Sequence, residues 1–334
     1  MTLDAPSLGP LLRGFFLDRL IRQRNASPAT VAAYRDSFRL LLRFAEKRLR
    51  RSAASLTTND LAAPLILAFL DHLERERGNT IRTRNARLAA VHSFVAYAGS
   101  EEPTALAQIQ RVLAIPSKRC ARPVLGYLSR DEVRAVIAAP SENTWSGRRD
   151  HVLFATLYNT GARVSEAIDL DVGQVHFDRT PRVCLRGKGR KERTVPLWKS
   201  TARDLARWIR DQSSPPDSPL FPNRHGVRMT RSGVATRLAQ AVDAATASSP
   251  LMKGRRISPH TFRHTTAMHL LEAGNDISLI ALWLGHESPA TTHGYLEANI
   301  ALKERVLARV AAPAGRGGRR FRAPDSLLAF LDGL

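Results

Sequence analysis

The chain is poor in cysteine and has no long apolar run. Its 334 residues include two cysteines, Cys120 and Cys184, and no C-x-x-C pair. Two thiols cannot form a disulfide framework, and the missing pair disfavours a thiolate zinc site, so we expect a reducing, cytoplasmic location. No segment approaches the ~20 apolar residues of a membrane span, and Arg13, Asp18 and Arg19 interrupt the apolar N-terminus. We therefore expect neither a membrane association nor a signal peptide.

Acidic residues are scarce relative to basic ones. The chain has 51 Lys and Arg against 30 Asp and Glu, which gives a formal net charge of +21. Such an excess favours a polyanionic partner, because basic side chains release counterions when they bind nucleic acid. Charge by itself does not distinguish DNA from RNA, and it does not exclude a basic protein that binds neither. The length and the 43% hydrophobic content allow two domains of roughly 150 residues, each with its own core.

The first hundred residues lack the alternating pattern of strands and predict a small helical bundle. Ser27 followed by Pro28 is a good helix start, because the serine can cap the helix and proline fits its first position. A second helix should begin near residues 58–60 and a third near Thr80. We assign residues 1–114 to this domain.

Three arginines, Arg82, Arg84 and Arg87, crowd the first two turns of the third helix. Arginines in such positions usually form a solvated face. In a chain this basic, contact with the phosphates of nucleic acid is about as strongly indicated. We treat the three as candidate DNA-binding residues and keep the solvated face as the alternative.

A change of composition separates the two domains. Residues 115–128 are rich in proline, glycine and basic side chains and predict a linker. Ser129 is then placed to cap a helix that has acidic residues in its first turn. We assign residues 129–311 to the second domain.

The second domain is mostly helical, with one clear exception. Residues 182–186 and 192–197 predict two strands on either side of a G-K-G turn, which makes a β-hairpin with a cationic tip. After this domain, residues 312–334 predict a basic, flexible tail that ends in a short helix. The fold class that follows is mainly α with a small β element.

Four short segments carry polar residues that fit an anion site. They are residues 160–166 (T-G-A-R-V-S-E), 186–193 (R-G-K-G-R-K-E-R), 260–264 (H-T-F-R-H) and 284–287 (L-G-H-E), with Tyr295 following the last. In the third segment a histidine and an arginine stand three residues apart and share one face of a helix. That segment alone would be satisfied by a structural histidine and a surface arginine.

A zinc site in the third segment is the less favoured interpretation. His260 and His264 have the spacing of a zinc helix, but the residue after the first histidine is Thr261 where a glutamate is expected. No third ligand is obvious, so we expect no metal.

In their order and spacing, the four segments and the tyrosine together resemble the tyrosine recombinase (phage integrase) family, especially its Xer-like members. The resemblance covers most of the chain. The N-terminal helices resemble the core-binding domain of the family, and residues from about 123 to 311 resemble its catalytic domain. It therefore implies the two-domain architecture of a tyrosine recombinase.

The resemblance also implies a catalytic set, which is Arg163, Lys188, His260, Arg263, His286 and Tyr295. In the family the matching arginines hold the scissile phosphate, and the residue matching His286 donates a further hydrogen bond to it. The residue matching His260 accepts the proton of the nucleophilic tyrosine, and the hairpin lysine protonates the departing 5′ oxygen.

Several neighbours of this set have expected supporting roles. Glu166 lies one helical turn from Arg163 and could orient it. Arg190, Lys191 and Arg193 compete with Lys188 for the role of the hairpin acid, and Lys188 is preferred because it occupies the G-K-G position. We expect the other three to contact DNA phosphates.

The implied activity is site-specific recombination. The enzyme would cut and rejoin duplex DNA through a 3′-phosphotyrosyl intermediate without metal, ATP or another cofactor. Its expected partners are duplex DNA sites with inverted repeats and three further copies of the chain, or related recombinases, in a tetramer on DNA. The basic tail leans towards a mobile-element role. The alternatives are DNA relaxation of the type IB topoisomerase kind and a DNA-binding regulator that has lost catalysis.

Overall fold

A computed structural model of the chain describes residues 7–102, 105–120, 126–187, 191–247 and 249–285. The chain divides into two compact units, with the boundary between Pro123 and Val124. Within the described ranges, every helix is too short or too polar to cross a membrane.

Among the described residues of the first unit, the regular elements are helices. Its helices are α1 (Leu8–Gly14), which continues into a π-helix (Phe15–Gln23), then α2 (Pro28–Leu49), α3 (Ala63–Arg75), α4 (Ile81–Glu101) and α5 (Leu106–Leu113), with 3-10 turns at Ala53–Ser55 and Thr58–Leu61. The helix starts predicted at Ser27 and Thr80 are confirmed, whereas the start predicted near residues 58–60 falls on a 3-10 turn and α3 begins at Ala63. The hydroxyl of Ser27 accepts the backbone N–H of Thr30, and that of Thr80 accepts the N–H of Thr83.

Aromatic rings fill the centre of this unit. Phe15 and Phe94 pack edge to face with ring centroids 5.4 Å apart, and Phe38 and Phe94 do so at 5.2 Å. All three side chains are buried together with leucines of α2, α3 and α4. The predicted helical bundle is therefore held by one apolar core of its own.

The second unit combines helices with a small sheet. Its helices are α6 (Arg130–Ala138), α7 (Trp145–Thr160), α8 (Val164–Ile168), α9 (Lys199–Gln212), α10 (Arg231–Ala245), α11 (Pro259–Glu272) and α12 (Ile277–Leu284), and its strands are β1 (Val175–His176), β2 (Arg182–Arg186) and β3 (Glu192–Pro196). The mainly α fold class with a small β element is confirmed.

The sheet is antiparallel in the order β1-β2-β3. The predicted hairpin is present, with Val183 opposite Val195 and Leu185 opposite Arg193. The short first strand was not predicted, because two residues are too few to establish an alternating pattern. One face of the sheet is buried, so Arg193 shares its face with Val183, Leu185 and Val195.

Helices α7 and α11 bring distant segments together in this unit. Phe154 of α7 and Phe262 of α11 are both fully buried, with ring centroids 6.4 Å apart. The hydroxyl of Thr266 donates to the carbonyl oxygen of Tyr158 at 2.7 Å. This packing places the first turn of α11 beside the turn that follows α7.

The predicted linker, residues 115–128, is held at both ends. The side-chain amide of Asn85 donates to the carbonyl of Lys118 at 2.8 Å and accepts its N–H at 3.1 Å. On the far side, Leu128 is buried, and its N–H donates to the hydroxyl of Thr265. Residues 118 and 128 are therefore fixed to the first and to the second unit respectively. The predicted tail, residues 312–334, lies outside the described residues.

Candidate active site

The structure gathers part of the predicted catalytic set in the second unit. Arg163, Glu166, His260 and Arg263 lie around the turn between α7 and α8 and the first turn of α11. Four other predicted site residues of this unit lie outside the described residues: Lys188, Arg190, His286 and Tyr295.

A glycine turn sets the position of Arg163. Gly161 ends α7 in the left-handed conformation, with φ of 59°. A Cβ added to it would lie 2.4 Å from Cδ2 of Leu284, so a larger residue would have to displace that side chain and would also be strained by the positive φ. After this turn, Arg163 occupies the N-cap position of α8. The T-G-x-R order is thus explained by a left-handed turn close to α12 that favours glycine.

The side chain of Arg163 is held on one edge. Its Nη1 lies 2.8 Å from Oε1 of Glu166, and its Nη2 donates to the carbonyl of Gly285 at 3.5 Å. The side chain is nevertheless 38% exposed. A guanidinium that is oriented by protein groups and still reachable from solvent can bind an incoming anion.

The buried carboxylate of Glu166 accepts hydrogen bonds from two arginines. Its Oε2 accepts the backbone N–H of Arg163 at 2.8 Å and Nη2 of Arg193 at 2.7 Å. Burial alone would raise the pKa of Glu166, but the hydrogen bonds and charges of Arg193 and Arg163 outweigh burial and keep its pKa below the ordinary value. The carboxylate therefore remains ionised and can orient both arginines.

Arg263 is buried and fixed by main-chain oxygens. Its Nη1 donates to the carbonyl of Gly161 at 2.6 Å, and its Nη2 donates to the carbonyl of Leu284 at 2.7 Å. These two hydrogen bonds hold the buried guanidinium in one orientation beside the turn between α7 and α8.

His260 stands at the start of the same helix. Ser258 caps α11 and Pro259 occupies its first position, so His260 lies in the first turn, one turn before Arg263. Partial loss of its water shell, together with the charges of Arg263 and Arg163, lowers the pKa of His260. Its imidazole is therefore neutral at neutral pH and can accept a proton.

The end of α12 joins both arginines. Gly285 ends this helix with φ of 66°, and the carbonyls of Leu284 and Gly285 accept from Arg263 and Arg163 respectively. The segment that leads into residue 286 is thus tied to both guanidiniums. Sequence reasoning missed these anchors, because a main-chain acceptor leaves no residue-type signal.

The candidate DNA-binding arginines of the first unit differ in exposure. Arg82 is exposed, whereas Arg84 is 4% exposed. Nε of Arg84 lies 3.3 Å from Oε1 of Glu74, and its Nη1 donates to the carbonyl of Pro116 at 3.2 Å. This burial corrects the expectation that Arg84 faces DNA. Its spacing of four from buried Leu88 is the helical signal that indicates the inward direction.

Arg87 lies between these extremes. It is half-buried, and its Nε and Nη1 are shielded from water without a hydrogen-bond partner. Loss of solvation lowers the pKa of Arg87, and the charge of Arg77 adds to this effect. Donors that are shielded from water are also out of reach of a phosphate in this conformation, so the DNA contact of Arg87 stays a prediction.

The hairpin arginine Arg193 also differs from its expected role. Its side chain is 11% exposed and is paired with Glu166, and its Nε donates to the carbonyl of Trp283 at 3.0 Å. This corrects the expectation that it contacts a DNA phosphate. The alternation of side chains along β3 indicates this inward direction, because Arg193 is two residues from buried Val195 and therefore lies on the same face of the strand. Lys191, two residues before Arg193, is exposed.

Comparison with protein families and solved structures finds relatives for both units. The model of the phage integrase family matches residues 126–301, and that of the phage integrase N-terminal SAM-like domain matches residues 15–102. The fold is similar to that of the integrase of transposon Tn1549, solved in complex with transposon right-end DNA. That match has a TM-score of 0.67 at 15% identity, and it covers 90% of this chain and 100% of the other.

Curated relatives give the same assignment. A putative integrase/recombinase, y4rC, of Sinorhizobium fredii is 49% identical over 328 residues, covering 98% of both chains. The tyrosine recombinase XerC of Pelobacter propionicus is 33% identical over 297 residues, covering 86% of this chain and 91% of the relative. The chain therefore belongs to the phage integrase family of tyrosine recombinases, enzymes that break and rejoin DNA.

Proposed function

We propose that this protein is a site-specific recombinase that cuts and rejoins duplex DNA, with Tyr295 as its nucleophile. The observation that carries the proposal is the joint fixing of Arg163 and Arg263. Both are oriented by carbonyls at the end of α12, and Arg263 also by the carbonyl of Gly161. Two oriented guanidiniums beside a histidine whose pKa is lowered form a site for a phosphodiester.

The arginines bind the scissile phosphate. Arg163 and Arg263 donate to its non-bridging oxygens, whose negative charge increases as phosphorus becomes pentacoordinate. Removing one such preorganised donor lowers a rate by about 10²–10³ in well-studied enzymes. His286, which follows directly after Gly285, supplies a further hydrogen bond to the same phosphate.

The proton transfers balance in two steps. The hydroxyl of Tyr295 loses its proton to His260 as its oxygen forms a bond to phosphorus, and the P–O5′ bond breaks. Lys188 gives a proton to the departing 5′ oxygen, so the products are a 3′-phosphotyrosyl link and a 5′ hydroxyl. A phenol has a pKa of about 10, so a neutral base and nearby cations are needed to ionise it. The covalent link conserves the phosphodiester energy for rejoining.

Contacts outside the cleavage site hold the DNA. Arg82 and Arg87 are proposed to bind phosphates from the first unit. Arg190 and Lys191 are proposed to do so from the hairpin tip. Such contacts position the duplex without specifying its sequence.

The substrate is proposed to be a pair of duplex sites, each with inverted repeats. Two duplexes offer four strands for cleavage, and each chain supplies one nucleophile, so a complete exchange needs four copies of the chain. A role in the movement of a mobile element is favoured over a housekeeping role by the basic composition of residues 312–322. We propose that the enzyme acts in the cytoplasm, where bacterial DNA lies.

Covalent trapping tests this proposal. Binding sites are first selected from a pool of random duplexes with the full chain, and nicked duplexes are then built from the selected sequence so that the cleaved fragment diffuses away. Wild type should accumulate a protein–DNA adduct, and Tyr295→Phe should bind equally well and form none. Tyr127→Phe is the matched control and should form the adduct.

The outcomes separate the alternatives. Absence of an adduct with wild type would overturn the enzymatic proposal and leave a DNA-binding regulator. An adduct that relaxes supercoiled plasmid but exchanges no strands between two sites would support the topoisomerase alternative and overturn recombination.

A further inference from the structure

We propose that Arg193 is a positioning residue for DNA cleavage, which ties the β2–β3 hairpin to Glu166 and to the end of α12 and thereby holds the hairpin lysine against the leaving group. The inference rests on the proposed function. It assigns to Arg193 a role inside the protein in place of a contact with DNA.

The contacts of Arg193 join separate parts of the unit. It belongs to β3, its Nη2 binds Oε2 of Glu166 on α8 at 2.7 Å, and its Nε donates to the carbonyl of Trp283 on α12 at 3.0 Å. These partners are 27 and 90 residues away along the chain. One largely buried guanidinium therefore connects the hairpin, the arginine-bearing turn and the segment before residue 286.

Two glycines leave the space that this guanidinium occupies. A Cβ on Gly285 would lie 3.0 Å from Nη1 of Arg193 and 3.1 Å from its Cδ. A Cβ on Gly187 would lie 3.3 Å from Oε1 of Glu166 and 3.8 Å from Nη1 of Arg193. Gly187 directly precedes Lys188 and Gly285 directly precedes His286. Arg193 thus packs against the main chain next to two residues of the proposed catalytic set.

Loss of Arg193 should affect the hairpin more than it affects Arg163. Without Arg193, Glu166 would keep its contacts with the backbone N–H and with Nη1 of Arg163, so the phosphate-binding arginine would remain oriented. The hairpin would lose its ionic link to Glu166, although the hydrogen bond from the N–H of Gly187 to the carbonyl of Lys191 would still close its base. The defect should therefore fall on protonation of the 5′ oxygen.

A substrate that needs no acid provides the test. In a nicked duplex with sulfur in place of the bridging 5′ oxygen, the P–S bond breaks to release a thiolate. A thiolate leaves without protonation, since thiols have a pKa of about 8.5 against far higher values for alcohols. Cleavage of this duplex reports phosphate binding and nucleophilic attack, but not the action of the hairpin lysine.

The experiment measures single-turnover adduct formation by the full chain on the oxygen and sulfur duplexes. For Arg193→Met we expect a loss of roughly 100-fold on the oxygen duplex, as small misplacements of catalytic groups cause. The loss on the sulfur duplex should be within about threefold, as for Lys188→Ala, with DNA affinity unchanged. Arg182→Met removes an arginine from the same sheet that is paired with Asp178, and it should leave both rates unchanged.

Each outcome bears on one of the two proposals. Equal losses on both duplexes, or no loss on either, would overturn the role of Arg193 and leave the recombinase proposal intact. If wild type forms no adduct on either duplex, the recombinase proposal itself fails. If Arg193→Met does not fold, Arg193→Lys is used instead, because lysine keeps the positive charge but cannot donate to two acceptors as the planar guanidinium does. The proposal then requires the same larger loss on the oxygen duplex than on the sulfur duplex.

Discussion

The first unit buries Arg84 and the second buries Arg263, and different partners fix the two guanidiniums. Arg84 lies against the carboxylate of Glu74, which is also paired with Lys118, and the hydrogen bond to the carbonyl of Pro116 ties the chain after α5 to α4. Arg263 donates to carbonyls of Gly161 and Leu284. The guanidinium of Arg84 is thus held by a carboxylate and a carbonyl, and that of Arg263 is oriented by main-chain carbonyls of two separate turns.

The comparison shows why burial alone does not identify a functional arginine. A buried cation needs partners in either case, since an unpaired one would cost several kcal/mol. What differs is the position of each arginine. Arg84 lies against Glu74 within the first unit. Arg263, in contrast, lies one turn after His260 and shares the end of α12 with Arg163. We propose that Arg263 binds the DNA phosphate at that position.

Replacing both arginines by lysine should separate the two roles most clearly. Arg263→Lys cannot reach two carbonyls and a phosphate together, so adduct formation should fall by about 10²–10³. Arg84→Lys should leave adduct formation within a few-fold but lower the free energy of unfolding by about 1–3 kcal/mol. Trapping on nicked duplexes and urea unfolding measure the two effects. Equal losses of activity in both variants would contradict the distinction.

The glycines at positive φ extend the comparison to the backbone. Gly161→Ala should lower the free energy of unfolding by about 1–2 kcal/mol for the left-handed conformation. It should lose a further ~1–3 kcal/mol for crowding, because the new Cβ meets Leu284. Gly78 of the first unit has φ of 61° with nothing within 4 Å of an added Cβ, so Gly78→Ala should lose only the first amount. Urea unfolding of both variants checks the difference, and similar losses would argue against tight packing at Gly161.

The pH dependence of cleavage should report the cationic surroundings of His260. Its lowered pKa means that the neutral, proton-accepting form persists as the pH falls through the ordinary histidine value of about 6.5. The acid limb of the cleavage rate should therefore lie below that pH. The same sign holds for folding, since protonation of His260 below its unfolded pKa favours the unfolded chain. NMR titration of the imidazole in Tyr295→Phe measures the midpoint, and a midpoint at or above 6.5 would contradict the prediction.

The smallest expected effect compares two arginines of α4. Arg87→Gln should reduce the slope of log K against log salt for DNA binding by about 1, as loss of one phosphate contact does. Arg84→Gln should leave the slope unchanged, because that side chain is buried on Glu74. Fluorescence anisotropy over a salt series, recorded below the melting temperature of both variants, gives the slopes. An unchanged slope for Arg87→Gln would remove it from the DNA contacts.

Local patterns predicted the fold where neighbours along the chain decide the structure. The caps at Ser27, Thr80 and Ser129 are formed as expected, because capping involves residues only three positions apart. The hairpin of β2 and β3 followed from alternation and its turn. The π-helix over Phe15–Gln23 was not predicted, since its residues have the same composition as an ordinary helix.

Features that depend on contacts between residues far apart in the chain could not be predicted from the sequence. The contact of Arg263 with Gly161 spans 102 residues, and that of Arg163 with Gly285 spans 122. Both acceptors are main-chain atoms, which every residue possesses. The resemblance to a family identified the arginines, but only the folded chain reveals what orients them. The inward direction of Arg193 was available from strand alternation and was outweighed by the cationic composition of the hairpin.

The main-chain anchors of the two proposed phosphate-binding arginines have a consequence for mutagenesis. Alanine scanning deletes side chains and leaves carbonyl oxygens in place, so it would assign no importance to the oxygens of residues 161, 284 and 285. Weakening one of these acceptors requires chemical synthesis that replaces the next amide with an ester, which makes the carbonyl a poorer acceptor. The orientation of the guanidiniums is in this sense encoded in the path of the backbone, and it can survive extensive drift in the side chains around it.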